Sequence, residues 1–467
     1  GARAGDGVPR VRPGGAVMLI VDGFAGGGGA STGIEWGSGF APTIAINHDP
    51  EAIAMHAINH PSTRHYCESI YKVRPEVATA GASPDFAWFS PDCTHFSQAK
   101  GGKPVSSGRR GLAWMVTAWA QRTSPRMIAV ENVPQFLTWG PLDVNDRPRA
   151  DAAGRYFRAW ASKLRRLGYR VDWRRLRACD YGAPTTRERL YVLAGLECDP
   201  RWPEPTHGAP GNVLGLAPYR AAAECVDWTI PCRSIFDREK PLVAKTLARI
   251  ARGVQKFVID DPDPYIVGGH RAATLVQLSF GEREGQAPRV YDIRKPLSTV
   301  VAGGIKHALV VAFLARHFGG RGTPGSSLRE PARTITTQDH HALVTATLDG
   351  QPDRSEQVAA FLMSYYGTST GSSLRAPLPT VTTHDRFALV TVHGVPHRIT
   401  DIATRHLTPR ELATAQGFPP DYVLDPQIDG RPLSRTAQVR MIGNSVCPPV
   451  AAAIVQANLG AAAARAA

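Results

Sequence analysis

Residues Ala16–Gly33 read AVMLIVDGFAGGGGASTG: an apolar run that ends in Asp22-Gly23, passes through Phe24 into four consecutive glycines, and opens a helical stretch near Ile34. Strand, glycine turn and helix in that order make a cofactor site of the nucleotide type. Glycines let backbone approach a ligand, and the helix N-terminus offers it free N–H groups. The spacing is not Gly-x-Gly-x-x-Gly with a distant acid, and no Gly-Lys-Ser/Thr follows to hold phosphates. Dinucleotides and ATP are therefore poorly supported as ligands.

Outward from this stretch the pattern of strand then helix repeats. Thr43–His48 (TIAINH) reads as a second strand and Asp49–His60 as an amphipathic helix opened by Asp-Pro. Asn47 and Asp49 then stand at a strand end, where polar groups meet a cofactor's ribose. Glu68, Ser69 and Ile70 end a third short strand. His56 and His60 share a helix face at i, i+4, but no third metal ligand is evident, so they read as surface histidines and no metal is expected.

A fourth strand, Phe86–Phe89, leads into FSPDCTHFSQAKGGKP (89–104), which places Cys93 where a parallel sheet delivers reactive groups. Free cysteines usually serve as small buried hydrophobes. Cys93 is nonetheless the candidate nucleophile, because of the groups that follow it. Met127–Val133 (MIAVENV) brings Glu131 and Asn132 to the end of an apolar strand; they read either as a helix cap before Pro134 or as a carboxyl group whose apolar surroundings let it donate a proton. Arg155–Leu167 is a basic helix and Tyr169–Leu176 an edge-like strand. Tyr181–Leu196 sets Arg187 and Arg189 just before a last apolar strand, either as a solvated edge or as a pair with an anion to hold.

The 467 residues suffice for two or three domains, and the formal charge of +14 favours a polyanionic partner, nucleic acid first. No run of eighteen apolar residues exists to span a membrane, no secretory signal is visible, and seven scattered cysteines without a Cys-x-x-Cys pair indicate a reducing, cytoplasmic setting. The expected organisation is a disordered leader (1–15), an α/β domain (16–200), a β-rich insert (201–400) and a return to the first domain (401–467). The insert holds a repeat: Pro296-Leu-Ser-Thr-Val-Val, Pro331-Ala-Arg-Thr-Ile-Thr-Thr and Pro377-Leu-Pro-Thr-Val-Thr-Thr, each followed by Ala-Leu-Val, at 308, 342 and 388. It reads as stacked β units or as repeated hairpins. Leu407–Pro419 reads as a capped helix, with Thr408 at the cap and Glu411 at its third position, and MIGNSVCPPV (441–450) leads into a last apolar helix.

In order and in content these stretches closely resemble the DNA (cytosine-5) methyltransferase family. The glycine turn is similar to its first cofactor motif, Pro-Asp-Cys93-Thr-His-Phe-Ser97 to its nucleophile loop, Glu131-Asn132-Val133 to its Glu-Asn-Val, Arg187-Glu188-Arg189 to its Arg-x-Arg, Arg410-Glu411 to its target-domain helix, and Gly443-Asn444-Ser445-Val446 to its last cofactor motif. Asp92 stands where that family usually has proline, Asn47 where it often has an acid, and Thr185 where it often has glutamine.

The resemblance implies a Rossmann-like S-adenosylmethionine-dependent methyltransferase domain carrying an inserted target recognition domain. It implies Cys93, Glu131, Arg187 and Arg189 as catalytic residues, Arg187 binding a phosphate beside the target or lowering the thiol pKa. S-adenosylmethionine would be held by Phe24, Ala25, Gly26, Gly28, Asn47, His48, Asp49, Ser69, Ile70, Pro91, Asn444 and Val446. Ser97, Lys100, Lys103, Arg109 and Arg110 would close on double-stranded DNA bound by a monomer, with a restriction nuclease as a possible cognate partner. An RNA-directed relative and a catalytically inactive DNA-binding relative are the alternatives.

Overall fold

The computed structural model describes residues 18–92, 111–144, 147–268, 270–277, 286–304, 306–316, 354–355, 357–358, 361–362, 389–392 and 395–463. They form two compact units. The first takes the chain to Cys225, then Pro296–Gly304, then from Thr408 onward; the second is Val226–Lys295 with Ile305–Leu407. Residues 201–225 and 296–304 of the expected insert thus belong to the first unit, and residues 401–407 of the expected return belong to the second.

The first unit is built on one seven-stranded sheet. Its strands are β1 (Ile20–Gly23), β2 (Ile44–Asn47), β3 (Arg64–Cys67), β4 (Phe86–Phe89), β5 (Met127–Asn132), β6 (Tyr169–Arg177) and β7 (Glu188–Leu196), in the order β3-β2-β1-β4-β5-β7-β6. β1 to β5 are parallel, whereas β7 runs antiparallel to both β5 and β6. Central strands of a parallel sheet are covered on both faces and read as unbroken apolar runs. In β4 all four residues are fully buried, with Ala87 and Phe89 in one core beside Trp119, Phe136 and Trp160, and Phe86 and Trp88 in the other beside Ile34, Ile454 and Val455. Burial of each such large side chain contributes about 1.5–3 kcal/mol.

The first helix, α1 (Gly29–Ser38), begins inside the glycine turn and not near Ile34. Gly28 takes φ 95°, a left-handed conformation that turns the chain straight from strand to helix. Helix α2 (Pro50–Asn59) starts as expected, with the Asp49 carboxylate accepting from the Glu51 N–H at 3.0 Å. Helices α3 (Leu112–Thr123) and α4 (Arg155–Arg166) pack Trp119 and Trp160 under the sheet. Three further helices close the unit: α5 (Pro409–Gln416), α6 (Arg435–Asn444) and α7 (Pro448–Ala463). The Thr408 and Glu411 side chains make the expected reciprocal capping box on α5, which ends at Gly417. Val450, Ala451, Ile454 and Val455 of α7 pack with Ala30 and Ile34 of α1.

The second unit is an antiparallel seven-stranded sheet whose main path runs Arg233–Ser234, Val395–His406, His307–Arg316, Arg271–Gln277, Ile266–Val267. Helix Ala244–Val254 buries Ile250, Ala251 and Val254 against Ala272, Val276, Ala308 and Val310. The first Ala-Leu-Val of the repeat lies in a strand, but the Pro296 copy that precedes it belongs to the first unit. The Pro331 and Pro377 copies lie outside the described residues. No helix among the described residues is long and apolar enough to cross a membrane.

Candidate active site

Because β1 to β5 are parallel, their carboxyl ends fall on one edge of the sheet, and the order reverses between β1 and β4, where such sheets bind ligands. Phe24, Asn47, Glu68, Ser90 and Glu131 with Asn132 all stand at that edge. Cys93 lies outside the described residues, as do Ser97, Lys100, Lys103, Arg109 and Arg110; the chain is described to Asp92.

β7 is the element that completes the cluster. Since it runs antiparallel to β5, its first residues lie beside the last residues of β5, with Tyr191 opposite Glu131 and Leu190 opposite Asn132. The Arg189 Nε therefore stands 3.2 Å from Glu131 Oε1, and both side chains are largely shielded, at 15% and 8% exposure. A carboxylate and guanidinium at this distance in a shielded place interact more strongly than on the surface, and each holds the other's orientation. Asn132 is buried and donates from Nδ2 to the Pro91 carbonyl at 3.0 Å, while its Oδ1 accepts from the Val133 N–H at 2.9 Å. The chain two residues before Cys93 is thereby tied to the strand end that carries Glu131.

Arg187 departs from expectation. It is 3% exposed, and its Nη1 donates to the carbonyls of Val300 and Gly443, each at 3.0 Å. Nη1 thus spends its hydrogens on two backbone carbonyls, while the buried Nε has no partner. Burial, and then the neighbouring Arg189 charge, lower its pKa.

The glycine turn folds back on the sheet through Ala25 N–H, which donates to the Ile46 carbonyl at 3.0 Å. Phe24 takes φ 68° and Gly26 φ 54°. A Cβ on Gly29 would sit 2.1 Å from Ser445 Oγ and 2.3 Å from the Val446 carbonyl, so the turn packs directly on the Gly-Asn-Ser-Val stretch. Asn444 is exposed beside buried Val446. Asn47 Oδ1 accepts from the Asp49 N–H, and the Asp49 carboxylate, besides capping α2, pairs with Arg440, as does Glu51. Arg440 and its own hydrogen bonds lower the Asp49 pKa against the opposing effect of burial. Ile70 is buried and Ser69 N–H bonds the neighbouring Glu68 carboxylate.

Under the turn lies a polar chain that the sequence did not disclose. Ser31 Oγ donates to Asp22 Oδ2 at 2.7 Å and meets His56 Nε2 at 2.8 Å, and His56 Nδ1 meets His65 Nε2 at 2.8 Å. His56 and His60 are buried, which corrects their reading as surface histidines; the face they share at i, i+4 is turned inward against α1. No cluster able to hold a metal exists among the described residues. Burial pushes the Asp22 carboxyl up to about 7, and its Oδ1 has no partner. Buried polar residues on two helices, Ser31 and Thr32 of α1 and His56 of α2, give no signal in a single sequence, because apolar periodicity does not register polar residues facing inward.

A family model described as C-5 cytosine-specific DNA methylase matches residues 18–207 and 334–459. Type II methyltransferase M.AgeI of Thalassovita gelatinovora is 27% identical over 198 residues, covering 41% of this chain and 42% of that protein. Type II methyltransferase M.Sau3AI of Staphylococcus aureus is 30% identical over 186 residues, 38% of this chain and 43% of its own. The chain thus spans less than half the length of these relatives. The crystal structure of a Spodoptera frugiperda DNMT2 mutant superposes with TM-score 0.52 at 15% identity, over 95% of this chain and 99% of that one, a likeness of fold.

Proposed function

Because the chain belongs to the C-5 cytosine-specific DNA methylase family, we propose that it methylates carbon 5 of cytosine in double-stranded DNA through a covalent bond from Cys93. The observation that carries this reading is the shielded Glu131–Arg189 pair, with Asn132 of the same strand end tied to Pro91 ahead of Cys93.

Carbon 5 of cytosine is too weak a nucleophile to accept a methyl group unaided. Addition of the Cys93 thiolate to carbon 6 turns the ring into an enamine, nucleophilic at carbon 5. The charge that this addition places on the ring must be absorbed. Glu131 does so by sharing a proton with ring N3, and Arg189 holds the Glu131 carboxyl in place and reaches toward O2. Once carbon 5 carries the methyl group, a water molecule takes its proton, the carbon 5–carbon 6 double bond re-forms and the Cys93 sulfur leaves as thiolate. The target atom is out of reach within a duplex, so the base must first be swung into the site.

The turn Phe24–Gly28, the polar ends Asn47 and Asp49, and the exposed Asn444 fit S-adenosylmethionine, which when bound supplies the methyl group. The direct packing of Gly29 on Ser445 and Val446 supports this, since it joins the two stretches that would hold one ligand. The names of the relatives support a place in a restriction-modification pair.

Tritium transfer from S-adenosylmethionine to duplex DNA and, in parallel, to RNA tests the substrate. Transfer to DNA alone is the expected result, and it should vanish in Cys93→Ala. A 5-fluorocytosine duplex should become covalently attached to the enzyme; product formation without any such adduct would refute the mechanism.

A further inference from the structure

Pro296–Gly304 lies in the middle of the insert in sequence, yet it is built into the first unit. Leu297 pairs with the chain just before Arg187: its N–H donates to the Pro184 carbonyl at 2.9 Å and its carbonyl accepts from the Thr186 N–H at 2.8 Å. Leu297 and Val300 are buried. The Val300 carbonyl then receives the Arg187 guanidinium, which also grips the carbonyl of Gly443 in α6. A Cβ on Gly443 would stand 2.3 Å from both the Val301 carbonyl carbon and the Ala302 nitrogen, so helix and segment touch backbone to backbone.

We propose that Pro296–Gly304 is a positioning strap for the Glu131–Arg189 pair, acting through Arg187. The inference rests on the function proposed above for that pair. Arg187 makes no ion pair within hydrogen-bonding distance among the described residues, and its Nε has no partner. Burying a cation on such terms is unfavourable, and an apolar side chain would serve stability better. What the guanidinium adds is direction: one nitrogen, Nη1, donates to two carbonyls from distant parts of the chain and so fixes where residue 187 lies. Arg189, two residues on along the same extended chain, is thereby set facing Glu131. The same grip reaches the end of α6, where Asn444 follows Gly443. Arg187 is a positioning residue in this arrangement, not one that touches DNA.

The test uses the full chain with Arg187→Met, Arg187→Lys and Gly443→Ala. Turnover is expressed per folded enzyme, counted by the stoichiometry of S-adenosylmethionine binding in calorimetry. In Arg187→Met, kcat should fall at least tenfold with the DNA KM within about twofold, because Arg189 is no longer held facing Glu131. Arg187→Lys should restore part of the rate, since its ammonium keeps donors for the Val300 and Gly443 carbonyls on a differently shaped side chain. Gly443→Ala should lower kcat and should speed hydrogen exchange across residues 187–191. Unchanged kcat per folded enzyme in Arg187→Met would reduce Arg187 to a structural role and overturn the strap. A DNA-binding salt slope lower by about 0.9 would instead mark a phosphate contact and overturn it too. If the wild-type enzyme transfers no methyl group, the proposed function fails; unchanged exchange in Gly443→Ala defeats the strap whatever the reaction.

Discussion

Replacing Asp22 by Asn should stabilise the protein at alkaline pH and by much less under acid conditions. Asp22 ends β1 beneath the glycine turn, is 1% exposed, and has one carboxylate oxygen bonded to Ser31 and the other without a partner. Burial carries its carboxyl from 3.8 to about 7, and the Ser31 hydrogen bond recovers only part of that shift. A folded pKa raised above the unfolded one means that the folded state holds the proton more tightly. The contribution is therefore fully present below pH 3.8 and is lost as pH rises toward 7, a loss of about 4 kcal/mol at roughly 1.4 kcal/mol per unit. Asn does not titrate and retains an oxygen for the Ser31 hydroxyl. Burial lowers the His56 pKa well below its ordinary value, so His56 also makes stability depend on pH as the unfolded imidazole takes up its proton, but equally in both proteins, and that slope cancels in the comparison.

Urea unfolding followed by the fluorescence of Trp88, Trp119 and Trp160, all fully buried in the first unit, gives the readout. Between about pH 5.5 and about pH 8 the stability of the variant relative to wild type should rise by about 2 kcal/mol. Any fixed offset from the buried amide cancels in that comparison. A difference that stays constant over the window would show that Asp22 is ionised in the folded protein, and the desolvation reasoning would be wrong.

Other expectations follow from the same geometry. Asn132→Ala leaves the Pro91 carbonyl without its donor, which costs about 1–3 kcal/mol and should appear mainly as a ten- to hundredfold lower rate of adduct formation with a 5-fluorocytosine duplex. Arg189→Ala strands Glu131 in a shielded site and should lower methylation by about a hundredfold or more while calorimetric affinity for S-adenosylmethionine stays within about twofold. Thr408→Ala removes one side of the capping box on α5 and should lower the unfolding free energy measured in urea by about 1 kcal/mol without altering the DNA salt dependence. Burial pushes the Cys447 thiol up to about 11, so iodoacetamide near pH 8 should leave it unmodified in the native protein, as mass spectrometry of the digested chain would show.

Much of the first unit was legible in the chain because local patterns there are strong. Each short apolar run that ends in a polar or glycine residue became a parallel strand, and Thr408, Pro409, Glu411 and Gly417 define α5 by contacts within a few residues. The order of motifs likewise identified the family, since it needs only residue types in sequence. What could not be read was which distant groups meet. Arg187 and Arg189 look alike in the sequence, two apart before an apolar strand, yet the antiparallel placement of β7 sends one to Glu131 and leaves the other gripping Val300 and Gly443. His56 looked like a surface residue because helical periodicity does not say which face a neighbouring helix will cover. The Pro296 segment reads like its two sister copies, but pairing with Leu297 N–H and carbonyl assigns it to the first unit. The chain alone determined which elements form and what chemistry they carry, because those depend on neighbours a few residues away. Only the tertiary structure decided which charges are paired, buried or exposed, because those depend on partners as far as 391 residues away.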